Sequence, residues 1–166
     1  MEGNRLRVQL HSIADTERLA EALAACLTVP MTLALIGSLG AGKTELVRRL
    51  CGKLGIPAET VTSPTYVLVQ RYYGKLRVVH LDFYRLRSAE EAWDLGLDEW
   101  LVEPAVTIIE WADKFTEVLP EDVVFVHITP QADGTRSVDV SARGVRGKHV
   151  LMELQREYAR GAGGIS

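Results

Sequence analysis

Gly37-Ser38-Leu39-Gly40-Ala41-Gly42-Lys43-Thr44 lies between an apolar run, Met31-Thr32-Leu33-Ala34-Leu35-Ile36, and a helix-like run, Glu45-Leu46-Val47-Arg48-Arg49-Leu50. Strand, then G-x-x-x-x-G-K-[ST], then helix is the arrangement that cradles a phosphate chain. Gly37, Gly40 and Gly42, with Ala41 between the last two, let the backbone turn until successive N–H groups face one concave space. The helix that begins there adds its unpaired N–H groups and the positive end of its dipole. Lys43 brings a point charge for the outer phosphates, and the Thr44 hydroxyl suits Mg²⁺.

Outward from this loop the chain alternates strand and helix patterns. Arg5–Leu10 alternates polar and apolar residues, as a half-buried strand does, and Asp15–Leu27 reads as a helix with Leu19, Leu23 and Leu27 on one face. Asp15 is the expected N-cap, with Glu17 in the first turn and Pro30 beyond the end. After the loop, Leu46, Val47, Leu50 and Leu54 share a helix face that Gly55 ends. Tyr66–Tyr73 and Leu76–Tyr84 are rich in β-branched and aromatic residues, and Gly74-Lys75 joins them as a hairpin. Ser88-Ala89-Glu90-Glu91 is a capping-box pattern, and Leu97–Val102 follows as a further helical turn. Ala105–Glu110 reads as a buried strand. Val123–Ile128 and Arg136–Ser141 form a second hairpin through Asp133-Gly134, before an amphipathic helix over His149–Tyr158. The expected fold is α/β: a P-loop NTPase-like mixed sheet, mostly parallel, with antiparallel hairpin strands and flanking helices. It occupies residues 1–160 as one domain, with 161–166 a disordered tail.

The chain has 166 residues, 47% hydrophobic and 25% charged, which suits one globular unit with a substantial core. A net charge of −3 argues against a broad nucleic-acid footprint, though not against RNA held by a partner. Cys26 and Cys51 lie in helical runs without metal-ligand neighbours and read as free thiols in a reducing compartment. No apolar segment follows Met1-Glu2-Gly3-Asn4-Arg5 as a signal peptide requires. The longest largely apolar stretch, Ala22–Ile36, is about 15 residues and is broken by Pro30, too short to span a bilayer. A cytoplasmic location without membrane attachment is the expectation.

Phosphate chemistry also needs acids. Asp82 and Glu110 each end an apolar strand. Asp82 stands where an acid supports Mg²⁺, directly or through water, its plainer alternative being a strand-end turn carboxylate; Glu110 could bind Mg²⁺ or orient the attacking water, its plainer alternative being a solvated strand end. Thr60, Thr62, Ser63 and Thr65 place four hydroxyls in one loop, either a nucleotide switch or a polar connector. His80 reads as strand packing, and Trp93, Trp100 and Trp111 as core or interface anchors.

The loop, Thr62-Ser63-Pro64-Thr65-Tyr66, His80-Leu81-Asp82-Phe83-Tyr84-Arg85-Leu86 and Ile109-Glu110-Trp111 together resemble the TsaE (YjeE) family, over residues 8–142. That family is the small ATPase of bacterial tRNA N6-threonylcarbamoyladenosine synthesis. The resemblance implies a Mg²⁺-dependent ATPase that works with TsaD and TsaB proteins, reaches tRNA only through that complex, and turns over weakly alone. It implies that Lys43 and Glu110 are catalytic and that Thr44, Asp82 and Glu110 serve the metal. ATP would meet Ser12, Gly37, Gly40, Ala41, Gly42, Lys43, Thr44, Glu45, Ser63 and Thr65, with Thr16 near the adenine. Two departures touch the cradle: Ser38 stands where the family usually has an acid, and Glu45 where a second hydroxyl is common. The competing readings are a small P-loop metabolite kinase, with Arg85 and Arg87 as a thin lid, and a nucleotide-gated adaptor that has no use for Glu110.

Overall fold

The computed structural model describes residues 4–62 and 68–163. Among these residues seven strands form one sheet: β1 (Leu6–Leu10), β2 (Met31–Ile36), β3 (Val69–Tyr73), β4 (Arg77–Asp82), β5 (Ala105–Glu110), β6 (Val123–Pro130) and β7 (Arg136–Arg143), in the order β1-β7-β6-β2-β5-β4-β3. The four central strands β6, β2, β5 and β4 run parallel. Antiparallel pairing is confined to β3 at one edge and to β7 and β1 at the other. The expected mixed α/β sheet, with both hairpins, is what forms.

Among the described residues five α-helices cover it: α1 (Ile13–Cys26), α2 (Lys43–Lys53), α3 (Ala89–Asp94), α4 (Leu97–Trp100) and α5 (Val145–Gly163). Cover on both faces explains why β2 and β5 read as continuous apolar runs rather than alternating ones. Strand parity then sorts side chains between two cores. Leu33, Leu35, Val106, Ile108 and Val78 join the core that includes Leu19 and Leu23 of α1, Leu46 and Leu50 of α2 and Leu154 of α5. Ala34, Ile109, Val79 and Leu81 join Ala92 of α3, Leu97 of α4 and Phe83 in the other. His80 and Asp82 share parity with Val78, and Glu110 with Ile108, so these polar residues project on the face of α1 and α2.

Several boundaries differ from the sequence expectation. Ser12, not Asp15, caps α1: its hydroxyl accepts from the Asp15 amide at 3.4 Å, while the Asp15 carboxylate reaches back to the His11 amide at 2.7 Å. The reciprocal pair resembles a capping box, but the Asp15 carboxylate takes the amide of His11, one residue before the cap, rather than that of Ser12. Glu17 therefore lies beyond the first turn and binds Arg49 and Lys53 of α2 instead. In β3, Leu68 has φ 72°, so the strand starts only at Val69. β4 stops at Asp82, and Phe83 opens a turn closed by the Leu86 amide. α5 takes in residues 161–163, which the sequence suggested were tail; 164–166 lie outside the described residues. Among the described residues no helix is long and apolar enough to cross a membrane.

Candidate functional site

Register brings the site together. Asp82 of β4 and Glu110 of β5 are paired positions on adjacent parallel strands, and Glu110 is also paired with Leu35 of β2. The carboxyl ends of β2, β4 and β5 thus meet where β2 runs into the glycine-rich loop, the usual ligand crevice of an open α/β sheet. Gly40 and Gly42 have φ 78° and 103°, which L side chains rarely adopt. Gly42 is the N-cap of α2 with no side-chain cap, so the first amides of α2 are left for a ligand.

Lys43 is 5% exposed. Its ammonium donates to the carbonyls of Gly37 at 2.5 Å and Ser38 at 2.9 Å, and lies 4.3 Å from the centre of the Trp111 ring. Burial lowers the Lys43 pKa, and the negative charges of Glu110, Asp82 and Asp113 oppose that shift. Ser38 contributes only its main-chain oxygen to this perch, so serine in place of an acid leaves the contact unchanged.

Thr44 Oγ1 donates to Glu110 at 3.0 Å from Oε1 and 3.2 Å from Oε2. A hydroxyl that spends its one proton this way keeps its lone pairs for a cation. Asp82 is 1% exposed, and its Oδ1 accepts the Tyr84 amide at 2.7 Å. A threonine hydroxyl and two carboxylates make an all-oxygen donor set. Mg²⁺ commonly takes one or two carboxylates and completes its shell with water and phosphate, so these residues fit it.

Ser12 and Thr16 line a recess of about 190 Å³ with Glu45, Arg49, Gly134 and Arg136. A Cβ built on Gly42 would lie 3.1 Å from the Arg136 guanidinium, so this recess adjoins the glycine-rich loop. Glu45 is bound by Arg48 at 2.7 Å and Arg49 at 2.8 Å, and the Arg49 hydrogen bond lowers its pKa. Its negative charge is thereby balanced beside the phosphate cradle. Ser63 and Thr65 lie outside the described residues.

Four residues in the site escaped sequence reasoning. Arg136 is on the second hairpin, about 90 residues from the glycine-rich loop, and only the β7 pairing brings it near. Trp111 was read as an anchor, yet it covers Lys43 from a left-handed backbone, φ 59°. Such a conformation costs a non-glycine residue about 1–3 kcal/mol, a cost often met at functional sites. Lys114 ties the turn after Asp82 by donating to the carbonyls of Tyr84 at 2.7 Å and Leu86 at 2.8 Å. His80, read as packing, is fully buried, but its Nε2 lies 2.6 Å from Glu110 Oε2. The available signal was parity, since His80 and Asp82 are two apart on one strand.

A family model described as Threonylcarbamoyl adenosine biosynthesis protein TsaE matches residues 10–138. A tRNA threonylcarbamoyladenosine biosynthesis protein TsaE from Treponema pallidum (strain Nichols) is 37% identical over 136 residues, covering 82% of this chain and all of that protein. The protein of the same name from Bacillus subtilis (strain 168) is 35% identical over 143 residues, 86% of this chain and 89% of its own. Among solved structures, a crystal structure of Bacillus subtilis YdiB superposes with a TM-score of 0.77 at 29% identity, covering 92% of this chain and 95% of that one.

Proposed function

The chain belongs to the TsaE family of threonylcarbamoyl adenosine biosynthesis proteins, and from that premise we propose that it is a Mg²⁺-dependent ATPase acting with TsaD and TsaB proteins in the cytoplasm. Its part in making the tRNA modification is hydrolysis, and it meets tRNA only through that complex. The observation that carries the reading is the hydrogen bond from Thr44 to Glu110, which joins the first turn of the phosphate-binding helix to a strand-tip acid.

The adenosine end lies in the recess of Ser12, Thr16 and Arg136. At about 190 Å³ this recess is smaller than the roughly 300–1,000 Å³ of whole-ligand pockets, so it takes one part of the nucleotide. The phosphates run over the amides of Gly40–Thr44. Lys43 exchanges its bonds to the Gly37 and Ser38 carbonyls for β- and γ-phosphate oxygens, a small movement that leaves Trp111 against its ammonium. Bound Mg²⁺ supplies charge neutralisation at the phosphates; Thr44, Asp82 and Glu110 are the residues that hold it, directly or through water. Glu110 accepts a hydrogen bond from the attacking water and aims it in line. The water oxygen bonds to the γ-phosphorus, the bond to the bridging oxygen breaks with its electron pair passing to ADP, and both protons of the water leave with the phosphate as dihydrogen phosphate. Glu110 is what favours turnover over a nucleotide-gated adaptor, which needs no acid bonded to Thr44.

The test is Glu110→Gln, which keeps the shape and an acceptor for His80. It is expected to bind ATP within about threefold of wild type and to lose about 100-fold or more in turnover. Unchanged turnover would refute the assignment. For the partner half, ATP hydrolysis is measured with and without TsaD and TsaB; equal rates count against it.

A further inference from the structure

Behind Glu110 runs a file of polar side chains that no step of the hydrolysis uses. His80 Nε2 meets Glu110 Oε2 at 2.6 Å, and His80 Nδ1 lies 3.5 Å from the Tyr72 hydroxyl. Tyr72 is hydrogen-bonded to Gln70 Oε1, and Gln70 Nε2 lies 2.9 Å from Thr62 Oγ1. Beside Thr62, the Val61 carbonyl accepts from the Arg48 guanidinium at 3.3 Å. Arg48 and Thr44 are one turn apart on α2. The file therefore leaves the nucleotide helix at Arg48 and returns to it at Thr44.

Sheet register explains the arrangement. Gln70 is paired with His80 across β3 and β4, Tyr72 is next but one on β3 and shares that face, and His80 is next but one to Asp82. His80 is 0% exposed and Tyr72 is 7% exposed. Buried polar groups of this kind are kept only when each is satisfied.

Proton direction follows from chemistry. An ionised Glu110 only accepts, so His80 Nε2 carries a proton and donates it. This holds for either sense of the hydroxyl and amide groups further back. The bond occupies Oε2 from behind and leaves Oε1 toward Thr44. We propose that His80 is a positioning residue for Glu110, held in turn by Tyr72, Gln70 and Thr62, so that this relay fixes how the carboxylate faces the metal and the attacking water. Outer partners of this type orient ligands and are commonly worth about 10–100-fold in metal affinity or activity. The consequence for turnover rests on the ATPase reading; the relay itself does not.

The experiment has two arms. In nucleotide-free protein labelled with ¹⁵N-histidine, the His80 Nε2 proton is followed by NMR. Its resonance is expected to be visible, protected from solvent, and displaced by Glu110→Gln and by Tyr72→Phe. No displacement by either variant overturns the relay, whatever the protein does with ATP. In the second arm, His80→Ala is expected to lower kcat about 10–100-fold and to raise the Mg²⁺ needed for half-maximal ATP binding by a similar factor. His80→Gln, which returns an N–H donor near the Nε2 position, recovers to within about fivefold of wild type, and KM for ATP stays within about threefold throughout. A melting temperature that falls while kcat and Mg²⁺ dependence hold would show packing alone and overturn the proposal. So would His80→Gln performing no better than His80→Ala. If His80→Ala does not fold, His80→Gln, Tyr72→Phe and the exposed Thr62→Val decide the matter, with Tyr72→Phe expected between wild type and the full loss. Wild-type protein that neither binds nor hydrolyses ATP would defeat the function proposed above, and the NMR arm would still judge the relay.

Discussion

Gly42→Ala, set against Gly40→Ala, separates two reasons for glycine in the phosphate loop. Both residues have positive φ, 78° at Gly40 and 103° at Gly42. A left-handed backbone costs an L-residue about 1–2 kcal/mol, and alanine recovers part of that by restricting the unfolded chain. Gly40→Ala meets open space, with nothing within 4 Å of its new Cβ, so only this backbone cost applies. In a chain of this length about 1 kcal/mol corresponds to a fall of roughly 2–4 °C in Tm. Gly42→Ala has a more extreme φ and also places Cβ 3.1 Å from the Arg136 guanidinium. The Arg136 guanidinium must give by a few tenths of an ångström, which displaces a group lining the recess of Ser12 and Thr16. The total destabilisation is about 2–3 kcal/mol, a fall of roughly 4–12 °C. The sharper difference is in binding. Weakening one charge-assisted contact from Arg136 costs about 1.4 kcal/mol or more, which is tenfold in affinity. Calorimetric titration of ATP into both variants, with thermal melts beside it, reads both quantities. Equal losses of ATP affinity would refute the argument, because a Cβ on Gly40 touches no side chain of that recess.

Two further predictions concern buried titratable groups. Burial holds the Lys43 pKa below 10.5, so the ammonium costs stability at neutral pH, and the cost lifts only as pH rises from the lowered pKa toward 10.5. Lys43→Met is therefore expected to melt no lower than wild type at pH 7 while losing about 10–100-fold in ATP affinity; a large fall in Tm with ATP binding intact would contradict this. Burial likewise pushes the thiols of Cys26 up to about 11 and Cys51 up to about 12 from 9.0. The native state should resist a thiol reagent at pH 8, and its stability, whole below pH 9, should decline above it by about 1.4 kcal/mol per thiol by pH 10; fast labelling of native protein at pH 8 would count against the burial.

How much of this was visible in the residues depended on how local each cause is. The glycine-rich loop, the strand before it and the helix after it are one contiguous signal, with backbone chemistry that needs no tertiary partner. Capping is nearly as local, yet it misled by three residues. Asp15 and Ser12 are both good caps, and the choice of Ser12 as the cap lets the Asp15 carboxylate take the His11 amide instead. The end of α5 was harder still: Gly161 and Gly163 oppose a helix and outweigh Arg160 and Ala162 in a sequence reading, and the continuation arises once the preceding turns are docked on the sheet.

The site divides along the same line. Asp82 and Glu110 could be proposed because a strand-end acid is an anomaly after an apolar run, and their pairing across β4 and β5 makes the anomaly purposeful. Arg136 could not, since it reaches the loop only through the order in which β7, β6 and β2 lie side by side. His80 falls between. A buried histidine in a strand is usually packing, and sequence alone weighs it that way. What changes the weight is that its partner is a carboxylate bonded to Thr44. An apolar core residue would have satisfied the packing at lower desolvation cost, so a polar donor at this position is explained by the acid it holds.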